Sequence, residues 1–458
     1  VHSHAADVHA AEAKHITIPS ERHPTLSRRH FVAGVAGVAA LAMIGGGVAW
    51  GNSQSSSDTV DTLTVPADAV TAQDSLQAIE NLDDALTMTT SAKLPTGSLV
   101  WCNDDEIAAC LVPSEESSPL TTVAVLNLST GETTTVLEKA VGSEEGFEIF
   151  DVRANSAGVV WLEADILEDT WRLYAATLSG TTLGEPQKLD EGDADWEMPT
   201  MATSSTYAYW QRLPLSTGNA ITENSTLNRA AFGSATSEII YSSEGRMACA
   251  VQSYGDGIVS LPRARSSSTN YQMTRFDGAT GKPLNACILP SSMKPMDCNW
   301  GKTGFSFCFD GSYDYGEGIA KMGTYAPYAL PDAATLDAQG YAAGDDTQAF
   351  LEPAVVNADT EAFSSAKWFN FNSTPLSAPS WCGNWLMLRG STYVCAIDLT
   401  SNKYAQISLE EGSGEYKDFL ASTHIGKRAV TFCDIDHTPL EGDTQQYCLV
   451  RIWESATS

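Results

Sequence analysis

Two short stretches gather carboxylates densely enough to do chemistry. The run Asp190-Glu191-Gly192-Asp193-Ala194-Asp195-Trp196-Glu197 places five acids and an indole within eight residues. An aromatic face beside several carboxylates suits a polar substrate or a cationic ligand, because the ring quadrupole and the carboxylates attract the same charge. Asp193, Asp195, Trp196 and Glu197 are therefore the candidate binding residues, with a solvated loop as the simpler reading. The second stretch holds Asp310, Asp314 and Glu317 after an apolar strand. Hard cations take such oxygens, and calcium is the metal the stretch could hold, but the spacing is not that of an EF-hand and a solvated turn comes first. No other cofactor is expected.

Nucleophile chemistry is poorly supplied. There is no Gly-x-Ser-x-Gly elbow, no Gly-x-Gly-x-x-Gly and no Walker loop. His424 and His437 lack an obvious Cys or Ser partner and read as surface or structural histidines. Trp101, Trp161 and Trp210 read as core aromatics, with a carbohydrate platform as the alternative.

The elements that must position these groups are strands. From about Thr87 onward the chain repeats an apolar strand, a turn, a second apolar strand, a longer third strand and a turn into a fourth. Second strands appear at Ile107, Gly158, Tyr207, Gly257, Gly304, Trp385 and Ala429. Four-stranded units at such a period predict an all-β fold, a β-propeller of seven blades, with six or eight as alternatives. A Pro/Ala-rich insertion around Tyr325 to Asp359 lengthens the gap between the fifth and sixth units. The last unit has strands near Phe419, Val430 and Leu449 and lacks a fourth. Thr87 to Leu94 can supply it, so the N-terminal strand is expected to pair with the C-terminal blade and close the ring. The alternative is a pair of β-sandwiches.

Before the strands, Leu76, Ile79, Leu82 and Leu86 follow helical spacing, which predicts a short amphipathic helix over residues 71–86. Residues 51–70 read as a linker and residues 87–458 as the propeller. Ten cysteines without a Cys-x-x-Cys favour disulfides outside the cytoplasm. Local spacing predicts four bridges, Cys102 to Cys110, Cys298 to Cys308, Cys382 to Cys395 and Cys433 to Cys448. Cys249 and Cys287 fall on the inner and outer strands of the fourth unit and are expected not to bond to each other.

The chain carries 26 Lys and Arg against 57 Asp and Glu, a net charge of −31. Only four of those bases and three of those acids lie in residues 1–50, so the acidic excess belongs to the body. Such a surface repels phosphate backbones and anionic headgroups, which argues against a nucleic-acid partner and leaves solubility, or a cationic partner, as its use. Six of the eight histidines precede residue 31.

Residues 1–30 form a polar tail ending in Ser27-Arg28-Arg29-His30-Phe31, and residues 31–50 form an uncharged Gly/Ala/Val-rich run. The order of charge and apolar run is that of an export signal. Ser27, Arg28, Arg29 and Phe31 resemble the twin-arginine motif, which implies export of an already folded protein to an extracytoplasmic site, secreted or anchored to the cell membrane. A run of about 20 residues is long enough to span a bilayer and no clean cleavage site follows it, so residues 31–50 could stay as a membrane anchor.

The body resembles the wider class of TolB-like and quinoprotein-like propellers. The resemblance rests on the hairpins Asn127-Leu-Ser-Thr-Gly-Glu132, Asp277-Gly-Ala-Thr-Gly-Lys282 and Asp398-Leu-Thr-Ser-Asn-Lys403. WD, kelch and sialidase repeat signatures are missing. These features lead to the expectation of an exported propeller acting as a binding or interaction module for a protein or small ligand, leaning away from catalysis. The alternatives are an enzyme acting on envelope glycans or other polymers through carboxylates at the central channel, and a cofactor-carrying redox protein.

Overall fold

The computed structural model describes residues 67–114, 119–264, 270–289, 293–309, 322–325, 355–357, 367–371, 375–414, 416–436 and 446–456. Arg28, Arg29 and Phe31, the run 31–50, the stretch carrying Asp310, Asp314 and Glu317, and His437 lie outside these residues. No helix among the described residues is long and apolar enough to cross a membrane.

The strands form seven sheets, each built outward from an inner strand, and the expected propeller is the fold. The second strand of each blade begins where the apolar runs begin: Ile107–Pro113, Gly158–Asp165, Tyr207–Arg212, Gly257–Ser260, Gly304–Phe309, Trp385–Arg389 and Arg428–Ile435. These strands are sandwiched by neighbouring blades on both faces, so they read as continuous apolar runs instead of an alternation. Gly304–Phe309 and Trp385–Arg389 are buried at every position. The outermost strand of blade 1, Thr133–Leu137, is exposed or half-buried throughout.

Three hairpins share one local device. Asn127 Oδ1 accepts the amides of Ser129 and Thr130 at 2.9 and 3.1 Å, and Gly131 follows at φ +74°. Asp277 does the same for Ala279 and Thr280 before Gly281 at φ +70°. Asp398 does it for Thr400 and Ser401 before Asn402 at φ +54°. An Asx turn followed by a left-handed residue reverses the chain within the strand register.

Ring closure is as expected. Leu86–Pro95 forms the outer strand of blade 7 and pairs antiparallel with Tyr447–Ser455, from Leu86 opposite Ser455 to Pro95 opposite Tyr447. A helix over 71–86 is not what forms. That segment steps from blade to blade as short extended pieces and 3-10 turns. Val70–Ala72 pairs in parallel with Lys367–Asn370 at the edge of blade 5. Gln77–Ala78 pairs in parallel with Lys403–Gln406 at the edge of blade 6. Leu76 packs with Phe369 and Leu386, whereas Ile79 and Leu82 pack beside Trp385 and Trp453. The apolar period of three to four therefore records successive dockings on different blades. Satisfying two sheet edges outweighs the hydrogen bonds of one short helix.

None of the four expected disulfides is present. Cys298 stands opposite Phe307 and Cys433 opposite Leu449, so each is one register step from Cys308 or Cys448. A step of one residue turns the two side chains to opposite faces. Cys382 and Cys395 lie on the first and third strands of blade 6, with Trp385–Arg389 between them. Cys110 stands opposite Val100, leaving Cys102 two residues further along, roughly 7 Å down the strand. Cys249 is a thiol, and no bond joins it to Cys287 on the outer strand Pro283–Ile288.

One end of the central channel is closed. The turn between the first two strands of blade 7 is long and crosses the ring. Thr423 donates its amide to Cys102 O at 3.1 Å in blade 1, and Ile425 donates to Tyr254 O at 3.0 Å in blade 4. Asn299 of blade 5 donates to Thr423 O at 2.6 Å, and Trp381 of blade 6 donates its amide to His424 O at 3.1 Å. Asn103 links Thr423 to Thr203 of blade 3. His424 is buried within this closure, with Nε2 at 3.1 Å from Asp105 Oδ1. Burial disfavours the imidazolium, but Cys102 and Asp105 outweigh that and hold His424 at about 10. Burial also pushes Asp105 up; its bonds to His424 and to the amides of Lys427 and Arg428 prevail and hold its carboxyl below the usual range. The contact of His424 with Asp105 thus pins the closing turn.

The inner strand of blade 5 carries an acid without an ion partner among the described residues. Asp297 is buried, its Oδ2 has no hydrogen-bond partner among the described residues, and burial pushes its pKa to about 8. The unfolded carboxyl ionises near pH 4 and the folded one near 8, so the folded state binds the extra proton between them. Stability from this group is complete below pH 4 and is lost as pH rises towards 8. Asp297→Asn is expected to flatten that slope and to raise stability at pH 8 by a few kcal/mol. Melting temperatures of both proteins between pH 5 and 8 check this; parallel curves would contradict it.

Candidate functional site

At the end of the ring opposite the blade 7 closure, a cavity of about 570 Å³ lies between blades 2 and 3. Its blade 2 wall comes from Leu189 and Asp190 of the outer strand Gln187–Gly192. Its blade 3 wall comes from Trp210 and Arg212 at the end of Tyr207–Arg212 and from Asn228. Trp196 enters from the connection between the two blades, and Glu223 from the turn before Ser225–Ala231.

A compact polar core organises the floor. Trp210 Nε1 donates to Asp190 Oδ2 at 2.8 Å. Arg212 pairs with Asp190 Oδ1 and also donates to Glu191 O at 2.9 Å. The guanidinium lies 4.2 Å from the centre of the Trp196 ring and 5.7 Å from that of Trp171. Trp171 Nε1 in turn donates to Trp196 O at 3.3 Å. Gly192 permits this stack, since a methyl there would sit 2.3 Å from the Trp171 ring. Asp190 and Arg212 neutralise each other, whereas Glu223 is exposed and forms no ion pair with a described residue. The cavity therefore combines indole surface with one uncompensated carboxylate.

Of the four residues expected to bind, Trp196 reaches the cavity. The other three shape the loop. Asp193 Oδ1 accepts the Asp195 amide at 3.1 Å, and Asp195 Oδ1 accepts the Asn219 amide at 2.7 Å. Glu197 pairs with Arg246 at 2.7 Å. Density of acid in the sequence thus marks a tightly bonded connection, and the open carboxylate of the cavity is Glu223, some 30 residues away along the chain. Trp161 is a core aromatic stacked on Tyr174 at 5.8 Å. Trp210 is nearly fully buried yet lines the cavity. No group of three or more His, Cys, Asp or Glu suited to a metal occurs among the described residues. His424, Cys102 and Asp105 make a Cys-His-acid set, but Cys102 and His424 are buried at 0% and 2% exposure and serve the closure.

No family model matches the chain, and no curated protein matches it. Solved structures do share its fold. A prolyl endopeptidase structure is 11% identical, with a TM-score of 0.48, covering 81% of this chain and 50% of that one. The β-propeller domain of the Trilobed protease from Pyrococcus furiosus is 9% identical, with a TM-score of 0.41, covering 82% and 96%. An oligogalacturonate lyase in complex with manganese is 11% identical, with a TM-score of 0.40, covering 80% and 92%. The chain spans about half the length of the prolyl endopeptidase it matches. At these identities the likeness is one of fold. The matching structures are named as endopeptidases, puromycin-hydrolysing peptidases and a lyase, and the expectation of a binding module that leans away from catalysis is withdrawn.

Proposed function

We propose that the chain is the substrate-holding propeller of a peptide-processing enzyme, and that the cavity between blades 2 and 3 takes a cationic group of the peptide. That group is an amino terminus or a Lys or Arg side chain. The observation that supports this is the pairing of Trp196 and Trp210 with the uncompensated Glu223 around one cavity. An ammonium gains from the Glu223 carboxylate, while the Trp196 ring, which already carries the Arg212 guanidinium, walls the site. The long-range field of a chain at −31 draws the same ligands in. No bond-breaking group is assigned to the cavity.

Incubation of the purified protein with a mixture of unblocked and acetylated peptides tests this, with cleavage read by mass spectrometry and affinity by tryptophan fluorescence. Free-amine and Lys-containing peptides are expected to bind preferentially, more weakly at high salt. Glu223→Gln is expected to weaken them about five- to tenfold. Equal affinity for acetylated, Lys-free peptides overturns the reading.

We further propose that the protein works outside the cytoplasm, exported through Ser27 to Phe31. The paired arginines before an uncharged run support this. Replacing Arg28 and Arg29 together by lysine is expected to strand the folded protein in the cytoplasm; undiminished export would refute the assignment.

A further inference from the structure

We propose that the peptide is held as a short added strand on the outer edge of blade 3, along residues 237–240, with one side chain entering the cavity. This rests on the peptide reading above and specifies how the chain of the peptide is recognised.

The fold already uses this mode on itself. Val355–Asn357 adds in parallel to Pro283–Ile288 of blade 4. Val70–Ala72 adds in parallel to Lys367–Asn370 of blade 5, and Gln77–Ala78 to Lys403–Gln406 of blade 6. Two or three residues suffice at each site. Outer strands of this propeller are therefore built to accept short parallel strands. Blade 3, like blades 1 and 7, carries no such added strand among the described residues: Ser237–Ser243 pairs with Ser225–Ala231, and residues 237–239 are exposed whereas Tyr241, Ser242 and Ser243 are buried. An edge of this kind offers a row of backbone donors and acceptors to any extended chain.

Three further observations place a peptide there. Ser237, Ile239 and Ser242 of this same strand line the cavity, so an added strand continues the cavity wall. Ile239 is 54% exposed, and Ile221 and Met198, which flank the cavity's Glu223 and Trp196 in sequence, are 52% and 39% exposed. These give apolar side chains of the peptide a surface to cover. Glu223 supplies the matching charge for a Lys or Arg at an alternate position, because successive side chains of a strand point to opposite faces.

The test uses the full chain and three probes: lysine amide, a free-amine hexapeptide alternating valine and lysine, and the same hexapeptide N-methylated on alternate residues in either phase. Lysine amide reports the cavity alone. The hexapeptide is expected to bind more tightly than lysine amide and to slow amide exchange across residues 237–240. N-methylation in one phase is expected to weaken it about tenfold and in the other phase to leave it nearly unchanged, since only one edge of the peptide meets the sheet. If lysine amide binds and both methylated peptides bind like the parent, strand addition is refuted while the cavity reading stands. If neither lysine amide nor the hexapeptide binds, the cavity reading fails and strand addition fails with it.

Discussion

A chain shortened to begin after Pro95 is expected to lose its cooperative thermal transition. Leu86–Pro95 is the only partner of the outer side of Tyr447–Ser455 among the described residues, and nine cross-strand pairs join them. Leu86, Ala92 and Leu94 are buried, so the deletion removes a sheet edge and part of two inter-blade cores together. The first and last blades then keep the bonds of the closing turn but lose the shared sheet that joins them. Gly131 shows how closely the closing strand is fitted, since a methyl there would lie 2.9 Å from Ser91 O. A point variant probes the same joint. Leu94 is 4% exposed, and Leu94→Asp buries a charge where a leucine packed, at a cost on the order of 3–5 kcal/mol. Circular dichroism melts read both effects. A truncated chain that melts as sharply and as high as the parent would show that closure contributes little.

The second large effect is expected at Asp418, which lies at the start of the blade 7 inner strand with 0% exposure. Arg451 Nη2 donates to its carboxylate at 2.7 Å, and Arg451 is itself buried. Arg389 Nε donates to Asp418 O at 3.0 Å and its Nη2 to Tyr416 O at 3.2 Å. Burial pushes the Arg389 guanidinium down to about 10 against the pull of the Asp418 charge. Asp418→Ala takes the carboxylate from the buried Arg451 guanidinium, while Arg389 keeps its bonds to the two backbone carbonyls, and breaking such a buried pair costs about 3–5 kcal/mol. Replacing the buried pair together, Asp418→Leu with Arg451→Met, is expected to recover much of that loss, because the desolvation cost disappears with the charges. Denaturant midpoints of the two variants check the pattern. A single variant as stable as the parent would mean that water already compensates these arginines.

What was legible in the sequence follows from periodicity. The seven second strands announce themselves as apolar runs because both their faces are covered, and the missing fourth strand after Leu449 points back to Thr87. The Asn127, Asp277 and Asp398 hairpins are legible because an Asx turn needs its residue types in fixed order. Contacts set by three-dimensional register are not legible. Cys298 and Cys308 are close in sequence, yet their separation differs by one residue from what would put both thiols on one face. Leu76, Ile79 and Leu82 keep a helical period by chance, since each docks where the strap meets a new blade. The cavity was half legible. Asp190 and Trp196 belong to the conspicuous acidic stretch, but Asp193, Asp195 and Glu197 are spent on loop geometry. Arg212 and Glu223 gain their place only once blade 3 folds beside blade 2.

The cavity and its charge are the centre of the functional account, and one titration addresses them directly. Tryptophan fluorescence of the intact protein is followed against a free-amine, Lys-containing peptide and its fully acetylated form, in the parent, Trp196→Ala and Glu223→Gln proteins. The account predicts saturable binding of the free-amine peptide to the parent, loss of most of it in Trp196→Ala, and a weaker, less salt-sensitive interaction in Glu223→Gln. Acetylated peptide binding as tightly as the free amine, with both variants indistinguishable from the parent, would contradict it.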